Sequence, residues 1–258
     1  MSDAIQSPIG PLRSAMQLTL HTRQALRIWQ GRPASESKTA IMGFLGFAGL
    51  IGRICHDAER DDPYADYWLI RIEEKLHRCK VELTHIHLEV DLLLSEVPSA
   101  ISAGENFSIR PVSLPMFIGS PFGFLALYLL ITYDGIVRRL QHARHVALIG
   151  RKGMESRIDE ASYVLRSLFG LAQQYKFAKV TRADFAADNE RAREAREAFG
   201  ELPLAVLEGR RRAEFAPRII RGRRDDARGF LEEEGGPVWY GAGPGQTSLQ
   251  AIPQALEG

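Results

Sequence analysis

The chain has 258 residues, 45% of them hydrophobic and 25% charged, and its formal net charge is +1 at pH 7. This is the composition of a globular protein with enough apolar residues for a sizeable core and one or two domains. The near-zero net charge excludes binding of nucleic acid through a global positive field, so any such contact must come from local charge.

The first segment, residues 1–11, is expected to form a flexible N-terminal arm, because Pro8, Gly10 and Pro11 interrupt regular structure. It lacks a charged start followed by an apolar core, which indicates no secretory signal. The chain holds two cysteines, with no CxxC pair and no zinc-finger spacing. We therefore expect free thiols and a cytoplasmic protein.

Residues 12–59 begin with an alternating run. Because side chains alternate between the faces of a strand, the run predicts an apolar face and a polar face: Met16, Leu18 and Leu20 on the first, Gln17, Thr19 and His21 on the second. A helical pattern follows and ends at Gly31. Ser37 is the predicted N-cap of a second helix over residues 38–58. One strand followed by two helices is the order of a ribbon-helix-helix module.

The polar face of such a strand is where we expect contact with DNA. Two copies could pair their strands antiparallel across a dimer axis, and the major groove admits the resulting two-stranded ribbon. The predicted base contacts are Arg13, Gln17, Thr19 and His21. Among these residues, the glutamine side chain is suited to hydrogen bonding with adenine. The predicted phosphate contacts, at the N-terminus of the second helix, are Ser37, Lys38 and Thr39. The same alternation is also typical of an ordinary half-buried strand.

Residues 60–211 are predicted to form the helical scaffold of the same domain. Apolar residues alternate three and four apart over about four heptads: Leu69, Ile72, Leu76, Cys79, Leu83, Ile86, Val90, Leu93 and Val97. This seam predicts a long helix over residues 64–96 that packs against another helix, either in the same chain or across a dimer. The seam is also the surface on which we expect a possible protein partner.

The segment of residues 107–117 alternates weakly and contains two prolines, which indicates an edge strand or an extended strap. It could pair within the chain with the strand at residues 14–20, and this is the main alternative to an intermolecular ribbon. The apolar stretch at residues 117–133 is interrupted by glycine and proline and falls short of the roughly 20 residues of a membrane span. We expect a buried core helix there and no membrane partner.

Further helices are predicted from their caps and spacing. Ser120 followed by Pro121 begins a helix that runs to about residue 148, and another helix covers residues 154–175. Thr181 with Asp184 forms a capping box for a helix over residues 182–199. From residue 212 to residue 258 the chain is rich in arginine and glycine, which predicts a disordered tail. Its arginines could add sequence-independent affinity for phosphate, or could simply be solvated.

No pattern for enzymatic chemistry occurs in the sequence. We find no glycine-rich nucleotide loop, no nucleophile elbow and no zinc-binding HExxH pattern. We therefore expect no catalytic residues, no cofactor and no metal. The expected fold is mainly α, with a ribbon-helix-helix-like N-terminal strand and helices embedded in a larger helical domain that contains a long antiparallel helix pair.

The chain also resembles a known family, over about residues 10–220. The segments GPLRSAMQLTLHTRQALRIWQGR, FLGFAGLIGRI, DDPYADYWLIRIEEKL, SPFGFLALYLLITYDGIVRRLQHARHVALI and GELPLAVLEGRRRAEFAPRI, in this order, look like the integrating-conjugative-element proteins grouped with AcaB-like transcriptional regulators. The resemblance implies a regulator carried by a mobile element, with a ribbon-helix-helix arrangement for binding DNA.

The function expected from these observations is that of a homodimeric DNA-binding transcriptional regulator of conjugative-transfer genes on an integrating conjugative element. Double-stranded DNA is its expected partner. The alternative is a non-enzymatic helical interaction or scaffold protein of the conjugation machinery. In that case the first strand would pair within the chain, and the heptad seam would bind a partner.

Overall fold

The structure is a computed structural model, and it describes residues 16–101, 104 and 106–220. These residues form a mainly helical unit with one small antiparallel sheet, which confirms the expected fold class. The elements are β1 (Met16–Leu20), α1 (Arg23–Gln30), α2 (Phe44–Glu59), α3 (Pro63–Leu94), β2 (Val112–Met116), α4 (Pro121–His145), α5 (Arg151–Ala172), α6 (Arg182–Ala186), α7 (Glu190–Phe199) and α8 (Leu204–Leu207). Arg13 and the N-terminal arm lie outside the described residues.

The predicted heptad seam lies on α3, a helix of 32 residues that begins after the N-cap Asp62. The seam residues from Leu69 to Val90 are buried. They pack within the chain against α2, α4 and α5. The Sγ of Cys79 contacts the carbonyl oxygen of Val164 on α5, and Glu89 pairs with Arg157 nearer the start of α5, so α3 and α5 run antiparallel. Other helices of the same chain cover the seam. The seam is therefore not available as the partner-binding surface that the sequence suggested.

The helix α4 lies at the centre of the fold. Ser120 is its N-cap and Pro121 its first residue, as the sequence predicts. Within the described residues α4 is the one helix long and apolar enough to cross a membrane, and 61% of its most apolar window is buried inside the fold. Phe122, Leu130 and Tyr133 are among the side chains that it buries, so α4 packs as a core helix.

The two strands pair with each other in the same chain. Their register places Gln17 opposite Pro115, Leu18 opposite Leu114 and Thr19 opposite Ser113. This is the pairing within the chain that the sequence left open as the alternative. Pairing of β1 with β1 of a second chain was expected from the sequence. In this structure β2 of the same chain occupies one edge of β1 instead.

Helix α2 begins six residues later than the sequence suggested. Its N-cap is Gly43, and Ser37 instead lies in an exposed loop. The loop is closed by two bridges, Arg32 with Ile41 and Ser35 with Lys38, in which the backbone N–H and carbonyl groups of each pair bond to each other. At its base Gly31, with φ of +71°, approaches Gly43 so closely that a side-chain Cβ on either residue would clash with the backbone of the other. Glycine at both positions therefore allows the chain to close the loop.

The predicted helix over residues 182–199 is two helices. The capping box of Thr181 and Asp184 is present and begins α6. Asp188, with φ of +44°, then interrupts the helix, and Asn189 caps α7. Aspartate and asparagine are among the few residues other than glycine that adopt positive φ readily, and both cap helices well.

The C-terminal end of the described chain is anchored by a buried carboxylate. Asp66 on α3 is fully buried and accepts hydrogen bonds from Arg182 at 2.6 Å and from Arg212 at 2.8–3.0 Å. Arg182 also donates to Asp61 and to the carbonyl oxygens of Val206 and Leu207. The packed chain thus extends past residue 212, where the sequence suggested that a disordered tail begins, since Ala213 is buried as well.

Candidate nucleic-acid interface

The two-stranded sheet has a buried face and an exposed face. Leu18 and Leu20 of β1, together with Met116 of β2, point into the core. The opposite face carries Gln17 and Thr19 of β1 and, across the ladder, Ser113 and Pro115 of β2, all of them exposed. The structure therefore places the two predicted base contacts Gln17 and Thr19 side by side on an accessible polar surface.

A buried acid fixes the end of β1. Asp134 of α4 accepts hydrogen bonds from the backbone N–H of His21 at 3.2 Å and from the backbone N–H of Thr22 at 2.9 Å. The Thr22 hydroxyl donates to the same carboxylate at 2.7 Å and accepts from the N–H of Ala25, which caps α1. The turn between β1 and α1 is thereby tied to the core, and the exposed side chains of β1 stand on a fixed backbone.

The side chain of His21 is half-buried and makes contacts within the chain. Its Nδ1 accepts a hydrogen bond from the backbone N–H of Ser108 at 3.3 Å. Its ring lies against that of Phe107, with 5.0 Å between the ring centroids. The ring of His21 therefore helps to hold the segment before β2 against β1, and contact of His21 with a base stays a prediction.

Ser37, Lys38 and Thr39 are exposed, but they lie away from the N-terminus of α2. In the loop, Lys38 exchanges backbone hydrogen bonds with Ser35, and the backbone oxygen of Thr39 accepts from Arg32. The expected phosphate site on helix N–H groups is therefore not formed by these three residues. What remains of it is a positively charged side chain, Lys38, on an exposed hairpin.

Two arginines that were not predicted from the sequence as DNA contacts lie on the helix that follows β1. Arg23 and Arg27 are one turn apart on the exposed face of α1, which directly follows β1. Residues 16–35 and 106–133 contain arginines but no acidic residue. The chain as a whole is nearly neutral, so these segments carry a local excess of positive charge, beside which Asp134 is buried. The signal was readable in the charge pattern of α1, where both arginines avoid the apolar face.

Potential metal ligands are not clustered in the described residues. Within them no group of three or more histidine, cysteine, aspartate or glutamate side chains is placed to hold a metal ion. Among the surface cavities that the described residues line, one has a volume of about 370 Å³ and another of about 400 Å³. The first lies between the ends of α3 and α4 beside Arg139 and His142, and the second is apolar and lies beside Phe124 and Tyr128.

Comparison with known proteins gives a match over most of the chain. A family model described as the transcriptional regulator AcaB matches residues 8–220. The crystal structure of selenomethionine-containing AcaB from uropathogenic E. coli matches 79% of this chain and 98% of its own, with 15% sequence identity and a TM-score of 0.49. No curated protein matches the chain. The family match includes both strands and every helix described above.

Proposed function

Because the chain belongs to the AcaB family of transcriptional regulators, we propose that it acts on transcription by binding double-stranded DNA with the exposed face of the β1–β2 sheet. The observation that carries this proposal is the position of Gln17 and Thr19. Both are exposed on a two-stranded ribbon whose other face is buried in the core. A ribbon of this width fits the major groove, where side chains on its outer face reach the edges of bases.

The charge around the ribbon supports the same assignment. Phosphate contacts supply most of the affinity of DNA-binding proteins, and arginine and lysine make them. Arg23 and Arg27 stand on the helix that follows β1, and Lys38 stands on the exposed hairpin. We propose these three residues as phosphate contacts.

We propose that the targets of the protein are conjugative-transfer genes on an integrating conjugative element. We also propose that the protein acts in the cytoplasm and is not an enzyme. The family supplies the regulatory role, and the resemblance of the sequence to proteins of such elements supports the choice of genes. Arg13 stays a proposed contact, since it precedes β1 by three residues on the same chain.

We propose a homodimer, which would place two ribbons on two half-sites of an operator. Exposed apolar side chains directly after β2 and on α4 support it. Phe117 directly follows β2 and is 75% exposed, and Tyr128 and Ile131 of α4 are 57% and 46% exposed. A second chain on this surface would remove apolar area from water.

The test is fluorescence anisotropy of the purified protein on promoter fragments of its own element, beside random DNA, at two salt concentrations. Gln17→Ala and Thr19→Ala should each weaken binding to the specific fragment by about 1–3 kcal/mol. Ser95→Ala, an exposed serine at the end of α3, is the control and should bind as wild type does. If Gln17→Ala and Thr19→Ala both bind as tightly as wild type, the sheet is not the reading surface.

The phosphate contacts have their own readout. Arg23→Gln and Arg27→Gln should each weaken binding to every fragment alike and reduce the slope of log K against log salt by about 1. Arg193→Gln on α7, an exposed arginine on another helix, is the control. An unchanged slope in both variants would exclude α1 from the interface.

A second candidate function is that of a helical interaction protein of the conjugation machinery that does not bind DNA. The pairing of β1 with β2 within one chain favours it, because that candidate predicts this pairing. The buried heptad seam argues against it, because the surface that it assigned to a partner is covered by α4 and α5. Absence of binding to any DNA fragment would favour this candidate.

A further inference from the structure

Ser113 on β2 contacts Gln17, the residue of β1 that we propose as a base contact. The hydroxyl of Ser113 donates a hydrogen bond to the side-chain oxygen Oε1 of Gln17, with 3.2 Å between the oxygens. The register accounts for the contact, because Ser113 lies opposite Thr19 and thus diagonal to Gln17 on the same exposed face. The residue directly opposite Gln17 is Pro115, whose side chain has no hydrogen-bonding group.

This hydrogen bond changes what Gln17 offers to a base. A glutamine side chain has an oxygen that accepts and an amide nitrogen that donates twice. It reads adenine by using both at once, donating to N7 and accepting from the N6 amino group. This contact turns the side-chain oxygen of Gln17 toward β2, so the two N–H groups on the other side of the amide are the atoms most free to face the groove. Guanine presents two acceptors there, N7 and O6.

We infer that Ser113 is a positioning residue for base recognition, which holds the Gln17 amide so that its N–H groups meet the base and guanine is preferred to adenine. The inference rests on the proposed function of the sheet. It assigns β2 a part in specificity, although β2 lies far from β1 in the sequence. It also alters the expectation that Gln17 suits adenine, which considered the glutamine without its neighbour.

The position of Ser113 is held firmly enough for its hydroxyl to orient the Gln17 amide. Its neighbour Leu114 is half-buried against the core, and Met116 is buried. Ser113 therefore has its side chain on the exposed face by the alternation of the strand. On the other side of the contact, β1 is held at its end by Asp134. The two side chains thus meet on strands that are both anchored in the core.

The test compares Ser113→Thr with Ser113→Val in the full-length protein. The two replacements have nearly the same shape and both suit a strand, but only threonine keeps the hydroxyl that donates to Gln17. Each protein selects duplexes from a randomised pool, and the base preferences are read by sequencing. Wild type and Ser113→Thr should prefer guanine at the position that Gln17→Ala makes indifferent. In Ser113→Val the ratio of guanine to adenine at that position should fall by about tenfold.

The outcomes separate this inference from the proposed function. If wild type selects no sequence, the proposed function fails and the inference fails with it. If Gln17→Ala loses a base preference while Ser113→Val keeps the wild-type preference, Gln17 reads DNA without Ser113 and the inference alone is overturned. An equal loss of preference in Ser113→Thr and Ser113→Val would also overturn it, because the effect would then not depend on the hydroxyl.

Discussion

The carboxylate of Asp134 and the hydroxyl of Thr22 form a buried hydrogen bond of 2.7 Å that joins the centre of α4 to the turn after β1. The same carboxylate accepts from the backbone N–H of Thr22 and of His21. Replacing Asp134 with alanine would leave these donors without their acceptor in a water-poor site. The stability of the whole fold, and the path of β1, therefore depend on a residue of the core helix.

We expect Asp134→Ala to lower the free energy of unfolding by about 2–4 kcal/mol. Chemical denaturation followed by circular dichroism measures the change. Asp159→Ala on α5 removes an exposed aspartate and serves as the control, with a change within about 0.5 kcal/mol. A similar small change in Asp134→Ala would show that the carboxylate does not hold the turn.

Two neighbouring arginines at the C-terminal anchor differ in what they contribute. Arg212 is 21% exposed and pairs with the fully buried Asp66, whereas Arg211 is 58% exposed and pairs with an exposed Glu74. Arg212→Ala should therefore lower the free energy of unfolding by about 1–3 kcal/mol. Arg211→Ala should change it by less than about 0.5 kcal/mol, because exposed ion pairs contribute little. Equal effects of the two substitutions, measured by urea denaturation, would contradict this reading of the anchor.

Stability should depend on the protonation of Asp62. Burial raises the pKa of this N-cap carboxyl from 3.8 to about 7, although hydrogen bonds from the backbone N–H of Ala65 and Tyr64 oppose the shift. Its Oδ2 is buried and has no hydrogen-bond partner among the described residues. Because the folded state holds the proton more tightly than the unfolded state, this group makes the free energy of unfolding fall as pH rises from 3.8 to about 7.

Asp62→Asn should remove that part of the pH dependence, because asparagine does not titrate and still accepts at Oδ1 as an N-cap. The measurement is a series of denaturation midpoints between pH 4 and pH 8 for both proteins. We expect the wild-type curve to decline more steeply than that of the variant. Parallel curves would show that Asp62 is not the group responsible.

The proposed dimer surface can be tested by introducing charge. Tyr128→Glu and Ile131→Glu would each place a carboxylate on the exposed apolar face of α4. A dimer formed there should dissociate, because an unpaired charge in an apolar interface is costly to bury. Light scattering after size-exclusion chromatography measures the mass in solution. Tyr163→Glu on α5, where the tyrosine is 72% exposed, is the matched control. Dimers that persist in both α4 variants would place the interface elsewhere.

Features with a local signal could be predicted from the sequence. The seam from Leu69 to Val90 predicted α3, because a helix that buries one side leaves an apolar residue every three or four positions. Ser120 with Pro121 marked the start of α4, and Thr181 with Asp184 marked the start of α6. In each case the residues that determine the structure are neighbours in the chain.

Features that depend on distant residues could not be predicted in the same way. Thr19 and Ser113 are paired although 93 residues separate them, as the sequence numbering shows. No pattern within either segment indicates which other strand it pairs with. Ser37 has the chemistry of an N-cap, but the bridge between Arg32 and Ile41 folds its segment into a hairpin. The contacts of His21 likewise depend on the distant Ser108, so they could not be predicted from the alternation of β1.

The close approach of Gly31 and Gly43 has a consequence for how this protein can be modified. The chain leaves the helical unit at one of these glycines and returns at the other, so residues 32–42 begin and end at nearly the same point. The residues from Arg32 to Ala40 are exposed. A loop with adjoining ends tolerates added length at small entropic expense. The tip at Glu36 is therefore a suitable insertion point for a fluorescent reporter or an affinity peptide, which would leave the paths of α1 and α2 unchanged.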